Sequence, residues 1–465
     1  MIRFFKGSAV IRASVTCVAF LILPLAGSLT AQEINSSGDS DQQASKVMGA
    51  QPIYPGLPGP KNHVETTVGN FKVRFYGTVL LNIQGSDSAI VGQDVPLWAA
   101  PDSGAVNYPD GSIGRAGDNH DLLFSVRQSV LGVTVGQAKS SGWSPSALVE
   151  VDFFGPRTAD NFQALNRVLN APRLRVGYLQ LEHNDWKIVA GQDKMILAPL
   201  DPVSLSHVAI PLGGTAGNLW AWLPQVRVDW NHKMGNTGLL VQAGILDPLF
   251  GDPKLTGDTI TAGSAIDTGS SGFGSRSTQP FYQARVAVSP QFGGRTSTIG
   301  VSGHFGQEKV GVGHNLQSWA FAIDMNARLE RHVILKGEGF VGSNLIPFEG
   351  GIAQGAAVQG GKIQRIGAAG GWLELTVFPK PGGNGVLYFG AGTDDPKNSN
   401  LLPGSTRTKN SFVWASYFRR LTESVTLAVE WSNWQFQTGA FSGNNLLKGP
   451  TGSSNVFDLS LAYQF

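Results

Sequence analysis

The 465-residue chain has few of the residues on which several protein classes depend. Its single cysteine, Cys17, excludes an intrachain disulfide and a cysteine-based metal site. Only 15% of the residues are charged, and 35 Lys and Arg nearly balance 33 Asp and Glu, unlike disordered or nucleic-acid-binding chains. Beyond the N-terminal region no apolar run approaches the roughly 20 residues of a transmembrane helix. These shortages exclude a helical membrane protein and a charge-driven nucleic-acid binder.

The first 69 residues predict an export signal followed by a linker. Residues 1–31 carry Arg3, Lys6 and Arg12 around the start of an apolar run, which small and polar residues follow. We expect cleavage after Ala31; a single N-terminal transmembrane helix is the alternative. Residues 32–69 are rich in Ser, Gln, Pro and Gly, and proline lacks a backbone donor. They predict a flexible periplasmic linker, or a short segment that binds a partner.

What the chain does have is 60 glycines and many segments in which apolar and polar residues alternate. In residues 71–84 one face is apolar and the other polar, which indicates a β-strand long enough to cross a bilayer. The pattern predicts sixteen strands. They lie near 71–84, 122–135, 145–155, 172–183, 186–194, 224–232, 237–246, 279–289, 297–306, 316–327, 331–342, 369–378, 385–393, 410–420, 423–433 and 455–465.

The connections between these strands alternate between short and long. The long ones fall at 85–121, 156–171, 195–223, 247–278, 343–368, 394–409 and 434–454. This alternation predicts an all-β, antiparallel, up-and-down transmembrane β-barrel at residues 70–465, with short periplasmic turns and long external loops. The last strand ends on the aromatic Phe465, as in outer-membrane barrels that present such a strand to the assembly machinery. We therefore expect contact with outer-membrane lipid and an outer-membrane location.

Charged residues on the polar phase of the strands are expected to line a water-filled lumen. The candidates are Arg74, Arg127, Arg173, Arg175, Arg227, Arg285, Glu150, Asp152, Asp324 and Glu338. The arginine-bearing strands lie in the first half of the sixteen and the later strands are mostly acidic, so a basic wall facing an acidic wall would favour small anions. Alternatively, Arg127, Arg173 and Arg175 form cross-strand ion pairs with Glu150 and Asp152.

The loop at 195–223 is unusually apolar, and exposure of such a loop is unfavourable. We expect it to fold into the barrel and constrict the pore; packing against a neighbouring subunit is the alternative. Within it, Asp201, Ser204 and His207 could be drawn as a hydrolytic triad, but no Gly-x-Ser-x-Gly elbow frames the serine. The eight histidines show no metal-ligand spacing, so neither a metal nor a cofactor is expected.

Several short motifs, in this order along residues 70–465, resemble the DcaP-like outer-membrane porins. They are RQSVLG at 127–132, EVDFFG at 150–155, PRLRVGY at 172–178, VAGQ at 189–192, VILKGE at 333–338 and GAGTDDP at 390–396. The resemblance implies a trimeric 16-stranded barrel that passes small anionic, dicarboxylate-like solutes, with pore-facing arginines at Arg127, Arg173, Arg175 and Arg227. Members often carry a helical coiled-coil extension before the barrel, whereas residues 32–69 are Pro/Gly-rich.

The sequence thus predicts a homotrimeric diffusion porin without enzymatic activity, open to small hydrophilic solutes and favouring small anions. Two other functions stay open. One is an outer-membrane barrel hydrolase that uses Ser204 and His207. The other is a structural or adhesin barrel with a plugged lumen.

Overall fold

A computed structural model of the protein describes residues 64–92, 94–137, 142–155, 171–249 and 274–465. The expected signal at 1–31 and residues 32–63 of the expected linker lie outside the described residues. Val64–Val68, at the end of the expected linker, form a strand that pairs with the first barrel strand. Regular structure therefore begins before the expected boundary at residue 70.

The strands are marked by alternating buried and exposed side chains, as residues 407–420 illustrate. Phe412, Trp414 and Phe418 are buried, whereas Val413 and Tyr417, between them in sequence, are exposed. Successive side chains of a strand point to opposite faces, so one face of this strand looks into the barrel and the other outward. The outward residues are apolar, as required of a surface that faces lipid.

The described residues form strands with short turns and a few helical turns between them. The strands are β1 (Val64–Val68), β2 (Phe71–Ser86), β3 (Ile90–Val91), β4 (Trp98–Ala99), β5 (Ala105–Asn107), β6 (Ile113–Arg115), β7 (Asp121–Ser125), β8 (Val130–Gln137), β9 (Ser144–Asp152), β10 (Arg173–His183), β11 (Trp186–Lys194), β12 (Trp222–Met234), β13 (Thr237–Leu246), β14 (Phe281–Phe292), β15 (Arg295–Thr296), β16 (Thr298–Gly311), β17 (His314–Glu330), β18 (Val333–Ser343), β19 (Ala356–Gln359), β20 (Lys362–Arg365), β21 (Gly367–Val377), β22 (Gly385–Pro396), β23 (Arg407–Arg420), β24 (Val425–Ser442) and β25 (Asn445–Gln464).

Among the described residues, helical structure is confined to single turns between strands. These are the 3₁₀ turns Ala116–Asp118, Ser275–Ser277, Ile346–Phe348 and Asn398–Asn400, and the helical turn Gly350–Ala353. Within the part of the chain that the structure describes, no helix is long and apolar enough to cross a bilayer.

The barrel closes because the first and last long strands pair. β2 pairs antiparallel with β25 from Thr78 opposite Gln464 to Ser86 opposite Val456, and on its other edge with β7 and β8. Neighbours in sequence pair around the rest of the ring, which removes the open edges that a bilayer would not tolerate. With β7 and β8 counted as one interrupted strand, the wall has the sixteen predicted strands, and the predicted fold class is confirmed.

Two details of the prediction are wrong. Residues 434–454 are not a long loop, because β24 and β25 continue as a paired hairpin as far as Ser442 and Asn445. Polar outward residues there continue the hydrogen-bonded pairing beyond the part of the strands whose outward residues are apolar. Hydrophobic alternation therefore marks the lipid-facing part of the strands and not their ends. The predicted strand at 122–135 is interrupted at residues 126–129, where the Ser129 hydroxyl takes a ladder position and accepts the Leu80 N–H at 2.9 Å.

Candidate functional site

Residues 195–221, which connect β11 to β12 and which we call the inner loop, lie inside the ring of strands. Near its start, the Ile196 N–H donates to Gln283 Oε1 on β14 at 2.8 Å. Further along, the Val208 N–H donates to Gln128 Oε1, between β7 and β8, at 2.8 Å. These two anchors stand well apart around the barrel. The inner loop therefore crosses the lumen instead of extending outward.

Buried carboxylates on three strands accept the backbone N–H groups of the inner loop. Glu338 on β18 accepts Leu200 N–H at 2.6 Å, Glu374 on β21 accepts Val203 N–H at 2.6 Å, and Glu430 on β24 accepts Leu205 and Ser206 N–H at 2.8 Å each. An irregular loop away from bulk water needs such partners, because each unpaired buried donor is costly. Lys336 neutralises part of this acidity through an ion pair with Glu374 at 2.9 Å.

The apolar side chains of the inner loop pack on inward residues of β21–β24, which we call the aromatic wall. Its members are Trp372, Tyr388, Phe412, Trp414, Phe418, Trp434 and Phe436, all buried. Val203 and Leu205 lie in one cluster with Tyr388 and Phe418, and Leu212 lies in another with the tryptophans. At Gly217 the backbone comes so close to β21 that a Cβ would collide with the Gly371 carbonyl oxygen.

The opposite part of the ring carries ion pairs, and we call it the charged wall. Its pairs are Arg173–Asp152 at 2.7 Å, Arg175–Glu150 at 2.8 Å, Arg175–Asp152 at 3.1 Å, Lys187–Asp229 at 3.2 Å, Arg227–Asp193 at 3.0 Å, Arg227–Asp229 at 3.0 Å and Arg285–Asp324 at 2.6 Å. These residues belong to β9–β12, β14 and β17. Fixed, paired charges of this kind are the usual lining of a polar conduit.

In several pairs of the charged wall the cation is the more accessible partner. The Arg173 side chain is 27% exposed while Asp152 is fully buried, and Lys187 is 35% exposed while Asp229 is 2% exposed. Asp193, at 20%, is an exception. The carboxylates thus mostly lie against the strands and the cationic groups reach toward solvent.

The other residues that the sequence predicts for the lumen have different partners in the structure. Arg173 and Arg175 form the cross-strand pairs that the sequence left open, whereas Arg127 pairs with Asp94, of the loop after β2, at 2.6 Å. Arg74 stands on β2 opposite Thr134. Cations and acids are paired on the charged wall, and the later acids Glu338, Glu374 and Glu430 lie on β18, β21 and β24. The expected opposition of a basic wall and an acidic wall stays a prediction.

Asp201, Ser204 and His207 do not assemble as a triad. Asp201 pairs with Lys194 and accepts the Asn218 amide at 3.1 Å, so it does not orient the imidazole. Ser204 Oγ lies 3.3 Å from His207 Nδ1, and Ser206 Oγ is closer at 2.9 Å. Burial lowers the pKa of His207 to about 3. That value is far below the range near neutrality that suits a general base.

A second segment, residues 344–355 after β18, also enters the lumen and packs on the inner loop. The Trp220 N–H of the inner loop donates to the Phe348 carbonyl oxygen at 3.1 Å, and Leu345 and Phe348 are buried with Leu219. We call these residues the second inner segment. The sequence predicts them only as part of the long external loop at 343–368. The apolar run from Leu345 to Phe348 is a signal that could have identified the segment.

Comparisons with known proteins were made on both sequence and structure. No protein-family model matches the chain, and no curated protein sequence matches it. The outer-membrane channel DcaP of Acinetobacter baumannii superposes with a TM-score of 0.59 at 18% identity, covering 88% of this chain and 100% of that one. An anion-selective porin from Comamonas acidovorans gives 0.51 at 13% identity, covering 85% and 100%.

The chain has the fold of the outer-membrane porins. The resemblance noted in the sequence motifs is thereby confirmed at the level of the fold, together with the expected outer-membrane β-barrel. Within this porin fold, no group of three or more His, Cys, Asp or Glu side chains in the described ranges is placed to hold a metal ion. The candidate site is therefore the lumen itself, between the inner loop and the charged wall.

Proposed function

We propose that the protein is a passive diffusion channel of the outer membrane that admits small hydrophilic solutes. One observation carries the proposal. The inner loop binds the aromatic wall through apolar side chains and the buried carboxylates through its backbone, while Arg173 and Lys187 of the charged wall stay partly exposed. In the proposal, the inner loop is the constriction and water and solutes pass along the charged wall.

The proposal includes a preference for small anions such as dicarboxylates. Supporting it, Arg173 and Lys187 are more exposed than the carboxylates that pair with them. Arginine keeps its charge at every physiological pH and offers donors in the planar geometry that a carboxylate accepts. One of the similar structures is described as an anion-selective porin, which agrees with the preference without deciding it.

Single-channel recording in planar bilayers tests the channel, and the reversal potential in a salt gradient tests the preference. We expect discrete conductance steps and a reversal potential on the anion side. Folded protein that gives no steps would contradict the channel and support a plugged structural barrel. Steps with a cation-side potential would leave the channel intact and overturn the anion preference.

We further propose that the channel is a homotrimer, as the sequence resemblance implies. Light scattering of the detergent-solubilised protein should give three times the mass of one chain, and a monomer mass would contradict this. The channel proposal assigns no catalytic role to Ser204 or His207. Hydrolysis of ester or peptide substrates that disappears in Ser204→Ala would overturn that assignment.

A further inference from the structure

The tip of the second inner segment is held in a conformation that most residues avoid. Glu349, Ile352 and Ala353 all have positive φ, at 62°, 55° and 53°. For a β-branched residue such as Ile352 this is a genuine outlier, and strain of this kind persists only where the surroundings enforce it. Here the restraints are an Asp394 carboxylate, which accepts the Ile352 N–H at 3.1 Å, and Arg407, which donates to the Ala353 carbonyl oxygen at 2.9 Å.

This enforced turn places the Glu349 carboxylate against the inner loop. A Cβ at Gly214 would come within 2.5 Å of Glu349 Oε2, so the carboxylate lies directly against the backbone of the inner loop. That oxygen is buried and has no hydrogen-bond partner among the described residues. A buried carboxylate oxygen without a donor calls for an explanation, and a functional role is one such explanation.

Glu349 and Arg173 of the charged wall both lie against the inner loop, and the charge of Arg173 acts to lower the pKa of Glu349. The Arg173 guanidinium pairs with Asp152 and donates to the Ala209 carbonyl oxygen of the inner loop at 2.7 Å. It is also the arginine of the charged wall with the most exposed side chain. Glu349 therefore adds a negative charge beside the most accessible arginine of the proposed passage.

We propose that Glu349 is a selectivity-determining residue of the channel, whose carboxylate offsets Arg173 at the constriction and limits the preference for anions. The inference rests on the proposed function and deepens it. It identifies a second inserted segment, besides the inner loop, as part of the constriction. It also gives a reason for the strained turn, which holds the acid at a fixed place beside the passage.

The same geometry makes the selectivity depend on pH. Burial, opposed by the charge of Arg173, raises the pKa of Glu349 to about 7. The other titratable and charged groups around this turn and the inner loop have partners or stay neutral. Asp394 accepts the Ile352 N–H, Arg407 donates to the Ala353 carbonyl oxygen, Asp152 is paired with Arg173, Asp201 is paired with Lys194, and His207 remains neutral above pH 3. Above pH 7 Glu349 is charged and opposes anions. Below pH 7 it is neutral, so the preference for anions increases as the pH falls.

Reversal potentials of wild type and Glu349→Gln, measured between pH 5.5 and 8.5, test the inference. At pH 8.5 the variant should raise the anion-to-cation permeability ratio by about two- to fivefold, as expected for a nearby unit charge in water. Its ratio should vary with pH much less than that of wild type. Glu349→Asp, which keeps the carboxylate, should retain the pH dependence.

Glu330→Gln is the matched control, because Glu330 is an exposed acid at the end of β17 whose side chain is 67% exposed and pairs with Arg295. It should leave the ratio and its pH profile unchanged. If wild type conducts but Glu349→Gln has the ratio and pH profile of wild type, this inference is overturned while the channel stands. If the folded wild type does not conduct, the proposed function itself fails.

Discussion

The aromatic wall and the charged wall belong to one continuous sheet, yet their inward side chains make different kinds of contact. Inward residues of β21–β24 are large rings such as Phe412 and Trp434, whose centroids lie 4.8 Å apart, and loop side chains cover them. Inward residues of β9–β12 are ion pairs, and several of their cations remain partly exposed. The first wall is covered by apolar side chains of the inner loop. The second binds that loop only through polar contacts, such as those of Arg173 and Arg175 with the Ala209 and Val208 carbonyl oxygens, and Arg173 remains partly exposed.

The difference shows how an apolar loop can lie within a barrel and leave one side of it polar. Burying apolar side chains contributes about 25 cal/mol per Å² of area, but the backbone buried with them must find hydrogen bonds. Glu374 and Glu430 provide acceptors inside the apolar region. On the charged wall, Arg285 and Asp324 satisfy each other with two hydrogen bonds and need no loop.

Removing a ring from the aromatic wall should have the largest effect on the packing of the inner loop and on the conductance. Trp434→Ala removes a fully buried side chain that stacks on Phe412 and His207, and large-to-small changes of this kind cost about 3–5 kcal/mol. We expect the inner loop to become sensitive to protease and the single-channel conductance to rise. Trp186→Ala, at an exposed ring on β11, should change neither. Equal effects in the two variants would contradict the special role of this wall.

Lowering the pH should have the second-largest effect, because it should destabilise the packing of the inner loop. Burial lowers the pKa of His207 from 6.5 to about 3, so the unfolded loop binds a proton that the packed loop does not. The stability of the packed loop should therefore fall as the pH drops from 6.5 toward 3. Hydrogen exchange at residues 204–209, corrected for intrinsic rates, measures this loss.

Two histidine variants test the origin of that acid response. His207→Gln should make the exchange of residues 204–209 far less dependent on pH. His232→Gln changes a half-exposed histidine that pairs with Asp185 at a turn, and it should leave the acid response intact. An acid response that survives in His207→Gln would show that another group is responsible.

Neutralising one of the buried carboxylates should have a smaller effect, confined to the part of the inner loop whose amides it accepts. Glu430→Gln keeps an acceptor but loses the charge, and charge-assisted hydrogen bonds exceed neutral ones by about 1 kcal/mol. Exchange of the Leu205 and Ser206 amides should accelerate by roughly fivefold to tenfold. Amides of the charged wall, such as those of Arg227 and Asp229, serve as the internal control. Faster exchange there as well would mean that the whole barrel, and not the loop contact, was weakened.

Neutralising the exposed arginine should change selectivity with little effect on stability. Arg173→Gln removes a charge worth about 1 kcal/mol to an ion a few ångströms away in water, or about fivefold in the permeability ratio. The reversal potential should shift toward cations. Arg331→Gln, at an exposed turn on the other end of the barrel, should leave it unchanged. An unchanged potential in Arg173→Gln would place the ion path elsewhere.

Much of the fold could be predicted because the alternation of apolar and polar residues is a local property of the sequence. The sixteen wall strands and their order follow from it, and the apolar composition of residues 195–223 made that loop stand out. Strand ends could not be predicted in the β24–β25 hairpin, because its outward residues, such as Gln435 and Ser453, are polar and the apolar alternation stops before the ladder does. Nothing in the local pattern distinguishes such a ladder from a loop.

The partners within the lumen could not be predicted, because they depend on contacts distant in sequence. Arg127 lies 33 residues from Asp94, and Glu430 lies 225 residues from Leu205, whose N–H it accepts. The sequence identifies inward acids but does not say whether each meets a cation, a backbone amide or water. Glu349 was missed for a related reason, since its position depends on a strained turn that Asp394 enforces from β22.

Accessibility of the two walls to a charged thiol reagent tests the central claim most directly. Both variants carry Cys17→Ser, which removes the single native cysteine. Gln242→Cys places a thiol at a half-buried inward position on β13, and Ser416→Cys places one at a buried inward position on β23 beneath the inner loop. We expect a methanethiosulfonate reagent to reduce the conductance of open channels with Gln242→Cys and not with Ser416→Cys. Equal modification at both positions, or modification at Ser416→Cys alone, would contradict a solute path along the charged wall.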